Sequence, residues 1–414
     1  MEIYNENDSI IFATFSPYRK GKRDPKNGNV EPFISFFSKK FKRLTLIDQP
    51  HTGSDTVAPV IEEYVDGKLK KKYNLENKFY NFFYWLIKLF NPTDDDTNIF
   101  YKLRDLISVI HVGFKHRSKV NYFVGLESVN TLAGFILKKI GKVERTIYYV
   151  SDYSPSRYDN KLFNWLYLGM DRFCCYNSNY IWDVSKVMQP ARIKAGLSAE
   201  KSAPAIHVPN ALFPEFIKHL SIKELIPYSL VFMGSLGPEN GPDLAVLTLP
   251  YVVKKFPKVH LYIIGGREKD ILRLKTLAMN LKVEKYVTFY GMIPDDLEML
   301  SILRKCYLAL APYLRQKNSV RWFGDSLKLR AYMACGLPVI TTQVPPLGRE
   351  LKAFGSALIA KDNEIDLAGS IIKMFTDERL YKQCRNRAIE FGKSNTWENT
   401  FNSALLKMNE YEQN

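Results

Sequence analysis

The strongest constraint on this 414-residue chain is a rhythm of short, β-branched apolar runs alternating with longer helical segments. In the second half, Leu230–Phe232, His260–Ile264, Val287–Phe289, Leu308–Ala311, Val339–Thr342 and Ser356–Ile359 read as strands. Helices are expected at Asp243–Phe256, Lys269–Leu281, Leu297–Arg304, Ile365–Thr376, Glu378–Glu390 and Trp397–Glu410. Runs this short and this apolar, each followed by a helix, predict a parallel sheet buried on both faces. The first half repeats the pattern less regularly. Ile10–Phe15, Leu44–Ile47, Tyr122–Val124, Thr146–Val150, Arg172–Tyr176 and Ala205–Val208 are the expected strands. Val30–Phe41, Val129–Ile140 and Ile181–Met188 are the expected helices, and Pro59–Lys70 suggests a strand or a hairpin around Asp66-Gly67. A chain of this length exceeds one core, so two doubly wound α/β domains are expected, with ligands at the carboxyl ends of strands.

One segment carries chemistry as well as fold. Asp325–Ile340 reads DSLKLRAYMACGLPVI. Leu329, Tyr332 and Met333 fall on one helix face, Gly336 stands where a C-cap needs positive φ, and Pro338 blocks further helix. Asp325, Ser326 and Lys328 surround the helix start. Free backbone N–H groups and a lysine there suit a phosphate-bearing ligand, although Asp or Ser before a helix is in most cases only a cap. Gly234, Ser235 and Gly237 form a glycine-bearing strand-to-helix turn, and Ile263–Arg267 and Phe289–Met292 end two further strands.

Taken together, these strings resemble the GT-B glycosyltransferases, in particular the group-1 (family 4-like) enzymes. Asp325–Ile340 is similar to their D-P-x-K-L-x-E-Y-x-A-x-G-x-P-V-I run. Phe232–Gly241 is similar to G-R-L-x-P-E-K-G, Ile263–Arg267 to I-x-G-x-G, and His207–Ala211 to the V-P-N-G that leads into the interdomain hinge. The resemblance implies two Rossmann-like doubly wound domains facing an interdomain cleft. Residues 1–213 would bind the acceptor and 214–395 the nucleotide-sugar, with a C-terminal helix, 396–414, packing back on the first domain. It implies donor contacts from Gly234, Ser235, Gly237, Arg267, Met292, Tyr313, Asp325, Ser326 and Lys328. Thr146–Tyr153 resembles the Y-x-x-S-D segment of the xanthan-type glucuronosyltransferase, which makes Asp152 the expected base for the acceptor hydroxyl.

The chain also departs from the pattern. Ser235 and Asn240 stand where relatives carry the Arg and Lys that neutralise the diphosphate, which leaves that work to Lys328, helped by Arg267, Arg315 or Arg321. The two glutamates of retaining members fall at Phe323 and Ala331. The expected activity is hexosyl or glucuronosyl transfer to a lipid-linked or polysaccharide acceptor, with the nucleotide-sugar as substrate and neither cofactor nor metal. Asp94-Asp95-Asp96 reads as a solvated turn rather than a metal motif. A nucleotide-sugar epimerase of the same fold and a non-catalytic sugar-nucleotide-binding relative are the alternatives.

The net charge of +16 is spread over both halves and favours an anionic partner. Lys68–Lys72 followed by the aromatic stretch Phe79–Phe90 makes an anionic membrane surface a candidate. No nucleic-acid motif accompanies the charge. Five cysteines without a CxxC, and only six histidines, point to reduced structural thiols. The opening MEIYNENDSI does not read as a secretory signal, and there is no apolar run of membrane-spanning length. A cytoplasmic protein, peripheral on the inner face of the cell membrane, is the expectation.

Overall fold

Two parallel sheets grow out of the alternation read above. The computed structural model describes residues 7–23, 28–51, 53–89, 99–116, 118–316 and 319–413. The chain forms two compact units, Met1–Pro209 with Phe401–Asn414, and Asn210–Thr400. Asp94-Asp95-Asp96 lies outside the described residues.

In the first unit the strands are β1 (Ser9–Ser16), β2 (Arg43–Pro50), β3 (Val60–Val65), β4 (Lys68–Asn74), β5 (Val120–Leu126), β6 (Val143–Val150), β7 (Tyr180–Asp183) and β8 (Ala205–His207). Their order across the sheet is β8-β7-β6-β5-β1-β2-β3-β4. All neighbours are parallel except β2–β3 and β3–β4. The β3–β4 hairpin turns at Asp66 and Gly67, both at positive φ, as a two-residue turn matched to strand twist requires. Phe401, in the second turn of the helix Trp397–Gln413, packs among Phe33, Phe37 and Trp182 in this core.

In the second unit, β9 (Ser229–Met233), β10 (His260–Ile264), β11 (Val287–Gly291), β12 (Leu308–Ala311), β13 (Val339–Thr341) and β14 (Ala357–Ile359) lie in the order β11-β10-β9-β12-β13-β14. Every pair is parallel. Alternate residues divide between two cores, with Leu230, Phe232, Leu308 and Leu310 in one and Val231, Met233, Ala309 and Ala311 in the other. That division is why the strands read as unbroken apolar runs. The order reverses between β9 and β12, and in the first unit between β1 and β5. Ligands of open α/β sheets bind beyond the carboxyl ends of strands at such reversals.

One stretch corrects the sequence reading. Arg172–Tyr176 is not a strand but part of the helix Lys161–Asn177, and Ile181–Met188 is not a helix but β7 and the approach to a helix at Met188–Lys194. The Asn160 side chain caps the longer helix by accepting from Leu162 N at 2.9 Å and Phe163 N at 3.2 Å. The residues this helix buries, Asp171, Cys174 and Cys175, have i, i+3, i+4 spacing, and the polar Asp171 hides that period. Helices at Ile99–Lys115 and Pro346–Phe354 were not anticipated. The second begins with Pro at N1 and ends before Gly355 at positive φ, the usual pair of helix boundary residues.

Arg192 ties these corrected elements together. Its guanidinium meets Asp171 at 3.1 Å and Asp183 at 2.7 Å, and all three side chains are almost wholly buried. Removing one member of such a group leaves buried charge without compensation. Arg192→Met should therefore destabilise the first unit by about 3–5 kcal/mol, read as a lowered urea midpoint. A loss under about 1 kcal/mol would mean that the two aspartates are neutral in the fold.

Candidate functional site

The second unit's sheet reversal is built from backbone in close contact. Gly234, just past β9, has φ of 117°, and a Cβ on Gly265, just past β10, would lie 2.4 Å from the Gly234 carbonyl oxygen. A Cβ on Gly241 would lie 1.9 Å from the Pro312 oxygen beyond β12. Only glycine allows these three strand ends to touch. Tyr332, on the helix Leu327–Ala334, stitches β9 to β12: its Oη accepts from Met233 N at 2.8 Å and donates to Leu310 O at 3.3 Å. Gly336 follows this helix with φ of 67°. Its N–H donates to Met333 O at 2.9 Å, and Leu337 N donates to Tyr332 O at 2.9 Å, closing the helix end.

Lys328 is the centre of this arrangement. Its side chain is buried, and its Nζ has no hydrogen-bond partner among the described residues. The ammonium lies 4.4 Å from the Phe232 ring centre and 4.8 Å from that of Tyr313. A Cβ built on Gly234 would come within 3.5 Å of Nζ, so the lysine occupies the space over the glycine turn. Burial pushes its pKa down to about 7; the positive charge of Arg321 adds to this and Glu239 opposes it. Two aromatic faces stabilise a cation only in part, and a buried ammonium without an acceptor is a group waiting for an anion.

The neighbours of Lys328 fall into different positions. Ser326 caps the helix: its Oγ accepts from Leu329 N at 3.5 Å and sits 2.7 Å from the Tyr313 hydroxyl. The Asp325 carboxylate is held inside the unit. Arg330 donates to it at 2.7 and 3.0 Å, and Asn210 N donates at 2.8 Å. Asp325 thus fixes the helix start and ties it to the V-P-N segment. Ser235 is exposed and Asn240 is buried. Glu239 is half-buried, accepts from Asn240 Nδ2 at 3.0 Å, and places a carboxylate in the field of Lys328. Gly237 opens the short turn Pro238–Asn240. Arg267 points to solvent with Nε 3.4 Å from Asp270, Arg315 and Arg321 are exposed, and Met292 is about half exposed. Ala331 is buried in the helix.

In the first unit Asp152 is exposed just beyond β6. Its backbone N–H donates to Glu127 Oε1 at 3.2 Å, and the same oxygen accepts from Ser151 N at 3.0 Å and Ser151 Oγ at 2.7 Å. Glu127 and Arg157, which flank Asp152 electrostatically, were not recognised in the sequence.

Two doubly wound units, each with polar side chains at its sheet reversal, make this a GT-B protein. Residues 218–391, within the second unit, match the family model described as glycosyl transferases group 1. The chain is 26% identical over 184 residues to a D-inositol 3-phosphate glycosyltransferase of Acidothermus cellulolyticus, covering 42% of this chain and 39% of that protein. It is 29% identical over 157 residues to a phosphatidyl-myo-inositol mannosyltransferase of Mycolicibacterium smegmatis, 37% of each. The matches thus span about two fifths of these relatives' length. Among solved structures it is similar to Anabaena Alr3699/HepE in complex with UDP, with a TM-score of 0.67 at 13% identity, covering 98% of this chain and 100% of that one.

The buried lysine predicts a specific pH response of the ligand-free protein. Its folded pKa of about 7 lies below the unfolded value, so below pH 7 both states hold the proton and the fold carries the full burial penalty. As pH rises from there toward the unfolded pKa, the folded state sheds the proton first and stability rises by up to about 1.4 kcal/mol per pH unit from this group. Lys328→Met should remove that rise and be more stable than the parent at pH 6, as measured by urea titration. Parallel stability–pH curves would show that Nζ stays charged and compensated.

Proposed function

We propose that the chain transfers a sugar from a nucleotide-sugar donor to a hydroxyl of an acceptor glycan. The observation that carries this reading is Lys328: a buried ammonium without an acceptor, at the sheet reversal of a group-1 glycosyl transferase domain. The donor diphosphate supplies the missing anion. UDP bound to a protein of similar fold favours a UDP-sugar as the donor. Gly234, Ser235 and Gly237 let the backbone approach the donor, Ser326 and Tyr313 order the helix start, and Asp325 holds that start in place. Arg267 and Met292 edge the same strand ends.

In the reaction, the bond from the sugar's anomeric carbon to the diphosphate oxygen breaks and a bond to the acceptor oxygen forms. Asp152 takes the hydroxyl proton, and the departing diphosphate is stabilised by Lys328 and the helix N–H groups, which act in place of a metal ion. The transferred group is of the hexosyl or glucuronosyl type. In a nucleotide-release assay with UDP-sugars, Lys328→Ala should lower turnover by about 100-fold or more, the scale of losing one buried donor to a developing oxyanion. Asp152→Asn should suppress transfer while leaving UDP affinity unchanged. Unaltered turnover in Lys328→Ala would overturn the donor assignment, and unaltered turnover in Asp152→Asn the base.

A membrane-surface acceptor fits a second feature. The helix Lys78–Leu89 buries Tyr80, Tyr84 and Ile87, yet leaves Phe82, Trp85 and Leu89 more than half exposed. The strand β4 beside it in sequence presents exposed lysines at 68, 70, 71 and 72. Among the described residues no helix is long and apolar enough to cross a membrane, so the contact would be peripheral. Vesicles containing anionic lipid should float the protein at low salt and release it at high salt, and Trp85→Ser should weaken the association. Absence of flotation would reject the membrane contact without touching the donor site.

A further inference from the structure

The carboxyl end of β5 is a strained elbow. Glu127 follows the strand directly, opens the helix Glu127–Lys139, and has φ of 65°. The other non-glycine residues at positive φ, namely Lys20, Asp66, Tyr228 and Lys282, lie in turns between elements. An L-residue in this region costs about 1–2 kcal/mol that glycine would avoid. The turn is tight as well: a Cβ on Gly125 would stand 2.5 Å from Thr131 N, and Thr131 Oγ1 donates to both Gly125 O and Glu127 O at 2.9 Å. Strain of this kind persists where a side chain must be displayed. Here the displayed group is the carboxylate whose Oε1 gathers Ser151 N, Ser151 Oγ and Asp152 N.

Arg157 is the counterpart. Its Nη1 is shut off from solvent and has no hydrogen-bond partner among the described residues, although its charge acts on Glu127 and Asp152. The guanidinium lies 5.8 Å from the Tyr167 ring centre, and Tyr158 meets that ring edge-on. A buried charged N–H without an acceptor calls for a ligand oxygen. The local charge identifies what kind of oxygen. Two carboxyl groups lie in the electrostatic field of one guanidinium, so an anionic ligand is disfavoured, whereas hydroxyls accept from Arg157 and donate to a carboxylate. Burial and the charge of Asp152 both push the Glu127 carboxyl up, against Arg157, which is consistent with an acid-rich site. The location agrees, because the first unit's sheet reverses between β1 and β5.

We propose that Glu127, Asp152 and Arg157 form a subsite for a neutral, hydroxyl-rich sugar ring. Arg157 donates from its guanidinium to one hydroxyl oxygen, Asp152 accepts from the adjacent hydroxyl, and Glu127 is the positioning residue that holds the Ser151–Asp152 turn. This names the acceptor class for the transferase reading and rests on it, but sugar binding is measurable without turnover.

Saturation-transfer NMR on the full chain, with methyl glucoside, mannoside and galactoside against glucuronate and inorganic phosphate, tests it. At least one neutral glycoside should bind more tightly than either anion. Arg157→Met should weaken that glycoside by about tenfold or more, the scale of one charge-assisted hydrogen bond. Glu127→Gln keeps an accepting oxygen and removes one negative charge, so it should narrow the gap between glucoside and glucuronate; this variant carries the test if Arg157→Met does not fold. Preference of the parent protein for an anion, no binding of any neutral glycoside, or an unchanged gap in Glu127→Gln overturns the subsite. Nucleotide release from UDP-glucose, run alongside, reports the transferase reading separately: sugar binding without release keeps the subsite and removes the transferase, and release without sugar binding does the reverse.

Discussion

The second unit is organised around a cation that its own fold does not neutralise. Lys328 enters from the first turn of a short helix and ends over Phe232 and Tyr313, with the glycine turn at Gly234 below it. Much of the surrounding structure serves to keep it there. Tyr332 joins the two strands on either side of the sheet reversal, and Ser326 caps the helix while meeting the Tyr313 hydroxyl. An apolar residue at 328 would suit the ligand-free fold better, since burying a charge without a partner is unfavourable. The position makes sense as a cationic site held ready for an anionic ligand.

The same logic explains why Asp325 is placed one turn away yet kept from the lysine. Had its carboxylate paired with Lys328, the site would be neutral and the anion would have to compete. Arg330 and the Asn210 amide occupy it instead, and Asn395 bridges the same group by accepting from Arg330 and donating to the Asn210 carbonyl. The acid therefore acts on geometry, and the lysine stays available. Among the described residues Glu239 is the carboxylate whose field reaches Lys328, and it is outweighed by burial and by Arg321. With Ser235 and Asn240 in place of two cations, this unpaired lysine carries more of the site's positive charge than the family pattern would require.

Legibility in the sequence follows the range of the interaction responsible. The second unit is readable over most of its length, because its central strands are continuous apolar runs and Gly stands at the carboxyl ends of β9, β10 and β11. Leu308–Ala311 was placed at its observed bounds. The first unit misled where a helix had polar buried residues: Asp171 lies on the buried face because Arg192 neutralises it, and no local pattern shows that ion pair. At the candidate sites, Asp325 and Lys328 could be named from the helix-start motif, but not that one would be paired and the other left alone. Glu127 and Arg157 were invisible for the same reason. The positive φ of Glu127 and the sealed Nη1 of Arg157 arise from contacts between β5, β6 and the helix after Asn160, which are distant in sequence.

The two sheet reversals present opposite chemistry. The second unit offers a cation held among aromatic rings and backbone, suited to a diphosphate. The first offers two carboxyl groups and one guanidinium, suited to hydroxyls and unsuited to phosphate. An enzyme that binds one phosphorylated and one hydroxyl-bearing reactant needs this asymmetry, because a site of uniform charge would draw the same ligand to both places. The asymmetry also bears on the alternative of a protein that only binds a sugar nucleotide. Such a protein has use for Lys328, but none for a carboxylate held in a strained backbone beside an exposed aspartate. The elbow at Glu127 is therefore the feature that argues for chemistry on an acceptor rather than for retention of a nucleotide.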